Sequence, residues 1–426
     1  MFVPMVILLA VLFVISMPVA FAIAVACMVY VLAAGVPLMV IAQKMVYGLN
    51  SFPLLAIGMF ILTANLMSAA GFTDRIFRFA GNLVGHVRGG LAHANVAASI
   101  IFAGMSGASL ADVAGLGRIE IEAMEKDGFD PDFSMAVTAA SSAVGPIIPP
   151  SVAAVVYGAS IGVSIGKLLI GGIIPGLLIG ALVFVMTFVI AATRRMPTRK
   201  KASLGEVWDS FSKSFLALLA PVILIGGILT GVFTPTESAA IAFFYVLLVA
   251  LVFYRSITPR KLLDVILDSA IGTAMVCLIV SSSLVFGLIA TTEQLPHRLA
   301  EAIPLISQNP NVVLLIANLF LLVIGCLIEM TPVLIILPPI FFPVMLNLGI
   351  DPIHFGIVMV FNITIGLFTP PFGMGMFVLL GITNRSMGSF AKAFLPYLVV
   401  LLLALMLITY VSPIVTFLPN LIMGGG

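Results

Sequence analysis

Long apolar runs separated by short polar stretches set the pattern of this chain. They fall at 2–15, 18–34, 53–70, 92–117, 133–162 and 168–193, and again at 214–232, 236–254, 270–290, 312–346, 353–382 and 393–418. With roughly 20 residues per span, the pattern predicts about a dozen helical membrane segments. Between the second and third runs of each half lies an amphipathic stretch, LMVIAQKMVYGL and SITPRKLLDVIL. Both suit a helix lying in the interface plane. One basic, polar segment, 194–213, reads as the linker between halves, with Trp208 at the interface.

The two halves repeat each other. At a constant offset of 221 positions, Gly128-Phe129-Asp130-Pro131 falls on Gly349-Ile350-Asp351-Pro352, Gly145 on Gly366, Pro149-Pro150 on Pro370-Pro371 and Pro175 on Pro396. The copies read SSAVGPIIPPSVAA and NITIGLFTPPFGMG, each inside a run apolar enough for a bilayer. A small or polar patch also recurs inside 92–117 and 312–346, as GMSGASLADVAG and GCLIEMTPV, with Gly104 and Gly325 again 221 apart. Irregular backbone cannot face lipid, so each patch is expected at the tip of a re-entrant hairpin buried in protein. A plain span using small residues for helix packing is the alternative. The expected fold is all-α and polytopic, with two inverted repeats at 1–193 and 214–426. Each holds a hairpin (92–117, 312–346) and a broken helix (133–162, 353–382).

Composition supports a membrane protein: 62% of residues are hydrophobic and 8% charged, against roughly 25% charged in soluble domains. The net charge of +2 is too small to suggest a nucleic-acid partner. If each hairpin enters and leaves on one side, each half crosses five times and the second half is inverted. With both termini outside, sixteen Lys and Arg face the cytoplasm: Arg75, Arg78, Arg88, Arg118, Lys126, Arg194, Arg195, Arg199, Lys200, Lys201, Lys213, Arg255, Arg260, Lys261, Arg385 and Lys392. Only Lys44, Lys167 and Arg298 face outward. That split is the positive-inside signature.

Matched Gly/Pro breaks in two halves point to the binding site of a secondary transporter. Unwound carbonyls and half-helix C-termini suit a hard cation, while half-helix N-termini suit an anion. In the first copy Ser141, Ser142 and Gly145 precede the break, and Pro149, Pro150 and Ser151 are expected to open the next half-helix. In the second, Asn362, Thr364, Gly366 and Thr369 precede Pro370 and Pro371. Neither break holds Asp or Glu, so weakly held Na⁺ fits better than a divalent ion. The expected Na⁺ sites, at least two, comprise Ser106, Ser142, Gly145 and Pro149, and Gly325, Gly366 and Thr369. A ligand-free proline kink is the alternative for either break alone. The expected substrate site lies between the tips, at Ser106, Ser109, Asp112, Glu329 and Thr331. Intramembrane acids such as Asp112 and Glu329 are functional candidates that could carry a proton, though pairing with backbone donors or a polar neighbour explains them equally. With no Lys or Arg in either tip or break, an anionic substrate would need co-bound Na⁺.

Glu237 in GVFTPTESAA reads as a capping box. The four histidines, His86, His93, His297 and His354, read as interfacial. Cys27, Cys277 and Cys326 read as buried packing residues. No HExxH helix, Walker A loop or paired-carboxylate motif is present, which argues against an enzyme.

Taken together, GMSGASLADVAGLG at 104–117, SSAVGPIIPPS at 141–151, GVFTPTESAA at 231–240 and FTPPFGMGMF at 368–377 resemble the large membrane subunit of the TRAP (tripartite ATP-independent periplasmic) transporters, over essentially the whole chain. That resemblance implies a Na⁺-driven importer in the bacterial inner membrane, working as an elevator in which a domain bearing both hairpins slides against a scaffold. It implies two partners, a small four-span membrane subunit, here expected as a separate chain, and a soluble periplasmic substrate-binding protein. It also implies an organic-acid substrate, such as a four-carbon dicarboxylate or a sialic acid, the latter expected from overall resemblance. A stand-alone divalent-anion/sodium symporter shares the hairpin architecture, but its Ser-Asn-Thr tip pattern is missing from GMSGAS and IEMTPV. A membrane enzyme or a passive scaffold subunit is the alternative of another class.

Overall fold

The computed structural model describes residues 2–15, 17–50, 52–194, 196–198, 200–295, 298, 307 and 309–424, among which every regular element is helical. Residues His297, Arg195 and Arg199, used in the sequence argument, lie outside the described residues.

The first half builds α1 (Phe2–Val14), α2 (Val19–Ala33), α3 (Leu38–Leu49), α4 (Phe52–Ala69) and α5 (Phe72–Val84). A hairpin follows, α6 (Gly90–Ser106) running up and α7 (Ser109–Asp112), a π-helical turn (Val113–Gly117) and α8 (Arg118–Lys126) running back. Then come a broken helix, α9 (Pro131–Ser142) and α10 (Val152–Ile161), and α11 (Ile165–Gly171) with α12 (Ile173–Thr193). The second half starts with α13 (Leu204–Leu229), α14 (Pro235–Leu248) and α15 (Pro259–Thr292). Its hairpin is α16 (Pro310–Leu327) against α17 (Met330–Ile336) and α18 (Pro338–Asn347). Its broken helix is α19 (Pro352–Leu367) and α20 (Met374–Thr383), followed by α21 (Met387–Tyr410) and α22 (Pro413–Met423).

Among the described residues, six helices are long and apolar enough to cross a bilayer, or eight if the bent pairs α4–α5 (68°) and α17–α18 (50°) each count once. At 1.5 Å per residue, α1 and α2 span only about 20 and 22 Å, short of a roughly 30 Å hydrocarbon core.

The matched punctuation acts through capping. Asp130 and Asp351 are the N-caps of α9 and α19, each accepting a backbone N–H two residues on, at 2.9 and 2.7 Å, with proline at the first helical position. That arrangement fixes where each broken helix begins. The Glu237 reading holds: Thr234 and Glu237 form a reciprocal capping box at the start of α14.

Two expectations need correction. SITPRKLLDVIL does not form its own interfacial helix. Thr258 caps at Pro259, and with no Gly or Pro between 260 and 271 the helix continues unbroken through Thr292. The linker is also shorter than 194–213, because a Ser203–Glu206 capping box nucleates α13 at Leu204. Trp208 on the second turn of α13 is exposed, beside Phe211.

One large core runs from α4 and α5 through both hairpins to α21. A second, smaller cluster joins α1 and α2 to Val285, Phe286, Ile289 and Ala290 of α15. Each hairpin lies against the broken helix of its own repeat, α6 on α9 and α16 on α19. The half-helices beyond the breaks are exchanged: α10 packs on α17, and α20 packs on α9 and the π turn. This exchange brings both tips to one place.

Candidate functional site

The first hairpin turns at Gly107, whose φ of +64° favours glycine. A Cβ there would fall on the carbonyl of Pro150, so only hydrogen lets the tip seat against the break. The Val152 amide donates to Gly107 O at 3.4 Å and Ser109 Oγ to Ser142 O at 2.7 Å. A Cβ at Gly145 would lie 3.2 Å from Ala108 C and Ser109 N. Behind the tip, Ser106 Oγ, Ser142 Oγ and both Asp112 carboxylate oxygens are buried without hydrogen-bond partners. The Asp112 carboxylate faces the Ser142 and Ser99 side chains. The structure thus brings Ser142 and Gly145 against the first tip and Pro149 beside Gly104, with Ser106 buried next to the turn and Asp112 facing Ser142.

The break itself differs from expectation. Pro149 and Pro150, joined by a cis peptide, sit inside the irregular segment instead of opening the half-helix. Ser151 caps α10, accepting from Ala154 N at 2.9 Å and donating to Pro146 O. Its hydroxyl does what the prolines, with no polar side-chain atom, cannot.

In the second repeat Gly325 and Gly366 meet backbone to backbone: a Cβ on Gly366 would overlap the Gly325 main chain, and one on Gly325 would lie 2.9 Å from Ile363 Cα. Thr369 Oγ1 donates to Ile365 O at 2.7 Å and Thr369 N to Gly366 O at 2.9 Å. Asn362, Thr364 and Gly366, expected to border unwound chain, therefore lie within α19, which stays helical to Leu367. The break is confined to 368–373 and again holds a cis Pro-Pro peptide, at 370–371.

Between the tips is a cavity of about 90 Å³, lined by residues 107–110 and 329–331 with Pro146, Val152 and Leu367 among others, and by no Lys or Arg. Ser109, Glu329 and Thr331 are on its wall. Ser106 and Asp112 are not; they belong to the buried junction behind the first tip. Thr331 Oγ1 donates to Glu329 Oε1 at 2.9 Å, so this acid has a partner where Asp112 has none.

A polar seam ties each hairpin to its broken helix. In the first repeat Asn95 Nδ2 donates to Thr138 Oγ1 (2.7 Å), Ser141 Oγ to Asn95 Oδ1 (2.7 Å) and Ser99 Oγ to Ser141 Oγ (3.0 Å). In the second Asn362 Nδ2 donates to Asn318 Oδ1 (2.8 Å) and Asn318 Nδ2 to Thr409 Oγ1 (2.9 Å). Ser141 and Asn362 are 221 apart, so the seams are equivalent. Asn95 and Asn318 escape sequence reading because the repeat does not match them to each other. Glu120 was also missed: it is fully buried in α8 with neither carboxylate oxygen partnered. Its signal was its step of four from Leu116 and from Met124, both buried.

The interfacial reading of the histidines fails for two. His93 is buried against Phe184, ring centroids 4.1 Å apart, and His354 is buried with Nε2 2.8 Å from Ile408 O. Both lie on helices that the repeat wraps in protein.

The donor set at the two junctions, hydroxyls and backbone carbonyls with one unpartnered carboxylate, fits a monovalent hard cation. Among the described residues no cluster of three or more His, Cys, Asp or Glu could hold a transition metal.

Paired re-entrant tips, each seated on a broken helix around a shared cavity, define the architecture of a secondary transporter. The fold is shared with the YdaH transporter of Alcanivorax borkumensis, with a TM-score of 0.65 over 88% of both chains at 15% identity. The family model for the DctM component of the tripartite ATP-independent periplasmic transporters matches residues 6–414, and the chain belongs to that family. It is 42% identical to the sialic acid TRAP transporter large permease protein SiaM of Vibrio cholerae serotype O1, over 90% of each chain. It is 38% identical to the C4-dicarboxylate TRAP transporter large permease protein DctM of Pseudomonas aeruginosa, over 89% of each. At 38% identity it also matches the sialic acid TRAP transporter permease protein SiaT of Haemophilus influenzae, over 89% of this chain and 62% of that longer protein.

Proposed function

We propose that this chain is the translocating permease of a Na⁺-coupled importer for an organic acid, in the inner membrane with both termini periplasmic. The observation that carries the reading is the cavity between the tips, walled by Ser109, Glu329 and Thr331. Tip hydroxyls and the N-terminal ends of α10 and α17 offer donors to a carboxylate, with no fixed cation. Na⁺ at the junctions, through Ser106, Ser142, Gly145 and Pro149 and through Gly325, Gly366 and Thr369, supplies the missing positive charge. Substrate and Na⁺ then raise each other's affinity by the same factor. The domain carrying both tips moves as an elevator against α4, α13 and α15. A small four-span subunit braces the scaffold, and a periplasmic binding protein delivers the substrate. Similarity to SiaM favours a sialic acid, with a dicarboxylate as the second reading.

The test is uptake by proteoliposomes with and without an inward Na⁺ gradient, adding the small subunit and binding protein in turn. Uptake requiring the gradient and all three proteins is expected. Robust Na⁺-driven uptake by this chain alone would point to a stand-alone symporter. Reporter fusions after Gly35, Met196 and Ser256 should read outside, inside and inside; an outside signal at Met196 would sink the inverted arrangement.

A further inference from the structure

The return limb of the first hairpin carries a buried acid that neither cation junction uses. Glu120 lies two turns beyond Asp112, is 0% exposed, and has no hydrogen-bond partner on either carboxylate oxygen. The same helix is polar on its other side: Arg118 and Glu122, each two residues away in sequence, form an exposed ion pair at 3.1 Å. Solvent therefore lies within a helix's width of a carboxyl that solvent does not touch.

The elements packed against α8 are α6, α9 and the π turn. Their titratable groups are few. The π turn has none. Helix α9 offers Asp132 at its exposed first turn, where Arg385 approaches it at 3.5 Å. Helix α6 offers His93, whose ring is held against Phe184 and has no hydrogen-bond partner on either nitrogen. Asp112, on the same limb, is near enough to repel an ionised Glu120. Among the described residues of these packed elements no cation faces this carboxyl, and a neighbouring acid opposes its charge. A buried carboxylate without a counter-charge takes up a proton in preference to staying ionised.

We propose that Glu120 is a proton-binding site, separate from the Na⁺ junctions, that is loaded in this conformation and exchanges its proton with the cytoplasmic side when the limb opens during the transport cycle. The Na⁺ step and the proton step then lie on the same hairpin, one at its tip and the other toward its base. The proposal does not depend on which acid is carried.

The first measurement needs no transport. Infrared spectra of the purified full-length chain at neutral pH should show a protonated carboxylic-acid stretch that is missing from the spectrum of Glu120→Gln. The second is uptake by the reconstituted three-protein system at varied lumenal pH. A one-proton step changes the rate by up to about tenfold per pH unit on its steep side. Glu120→Gln should remove that dependence while retaining uptake. Glu120→Leu, which leaves no polar group to satisfy, guards against misfolding and should behave like Glu120→Gln. A spectrum unchanged by Glu120→Gln, or a pH profile identical to wild type in both folded variants, would overturn the proposal.

Discussion

The two hairpins share a register but not an environment. Counted from the 221-residue offset, the tips fall at equivalent positions, 107–108 and 328–329, and the return limbs end at Lys126 and Asn347. Yet nearly every residue of α6 is buried, whereas α16 buries one stripe and exposes Leu315, Ile316, Leu319, Phe320 and Val323. The first tip is a left-handed glycine pressed onto a cis proline pair; the second is extended through Ile328 and Glu329 and half-buried. The repeat thus sets where the chain turns, and packing decides what each turn can do. On the proposed reading the encased tip strips water from a cation, while the half-buried tip, whose Glu329 and Thr331 line the cavity, meets the substrate.

The largest effect should come from glycine at the junctions. Gly145→Val is expected to abolish uptake while the protein remains folded, and Gly366→Val to abolish it together with a lowered unfolding midpoint, since its side chain forces α16 and α19 apart; size-exclusion profiles with thermal unfolding check both. Alanine separates the repeats. A Cβ at Gly366 meets backbone that cannot yield, whereas at Gly145 a few tenths of an ångström would relieve it. Gly366→Ala should lose uptake and Gly145→Ala should keep part of it. Equal losses would erase the distinction.

Next in size are the acids. Asp112→Asn should weaken Na⁺ dependence of uptake strongly, because it neutralises the unpartnered carboxylate beside the first junction. Glu329→Gln should do less, since this side chain is half-buried and already bonded to Thr331. A larger effect on Na⁺ affinity from Glu329→Gln would reverse the roles given to the two tips.

Much of this is legible in the sequence itself. The breaks, tips and junction glycines follow from Gly and Pro at a fixed offset, because those residues act on the backbone wherever they stand. The seams were not legible, since Asn95, Asn318 and Glu120 act through neighbours on other helices, and a hydrophobic run does not say which of its faces meets protein. The continuity of α15 was hidden by the amphipathic start of the helix, which resembles a separate element only if no further stop signal is sought. The early end of the linker was marked by Ser203 and Glu206, three residues apart.

Smaller effects should come from the seams. Asn95→Ala and Asn318→Ala each remove a buried amide that bonds two side chains, at about 1–3 kcal/mol, measurable as a lowered midpoint of thermal unfolding. The two losses should be similar, because the partners of both amides are buried. Smallest is the helix cap: Ser151→Ala should cost about 1 kcal/mol, with uptake reduced in proportion to the loss of ordered α10.

Helix α15 has a consequence for the membrane itself. Beyond Asp268 its residues 269–292 carry no charge and extend about 36 Å at 1.5 Å per residue. That is longer than a typical hydrocarbon slab of roughly 30 Å. Hydrophobic mismatch of this size is relieved by tilting the helix roughly 30° or by thickening the surrounding lipid. Because α2, α3, α4 and α17 all lean on α15, its inclination would set the slope of the tip movement proposed above. Acyl-chain length becomes a control on the protein, and transport rate should vary with bilayer thickness even when every residue at the site is unchanged.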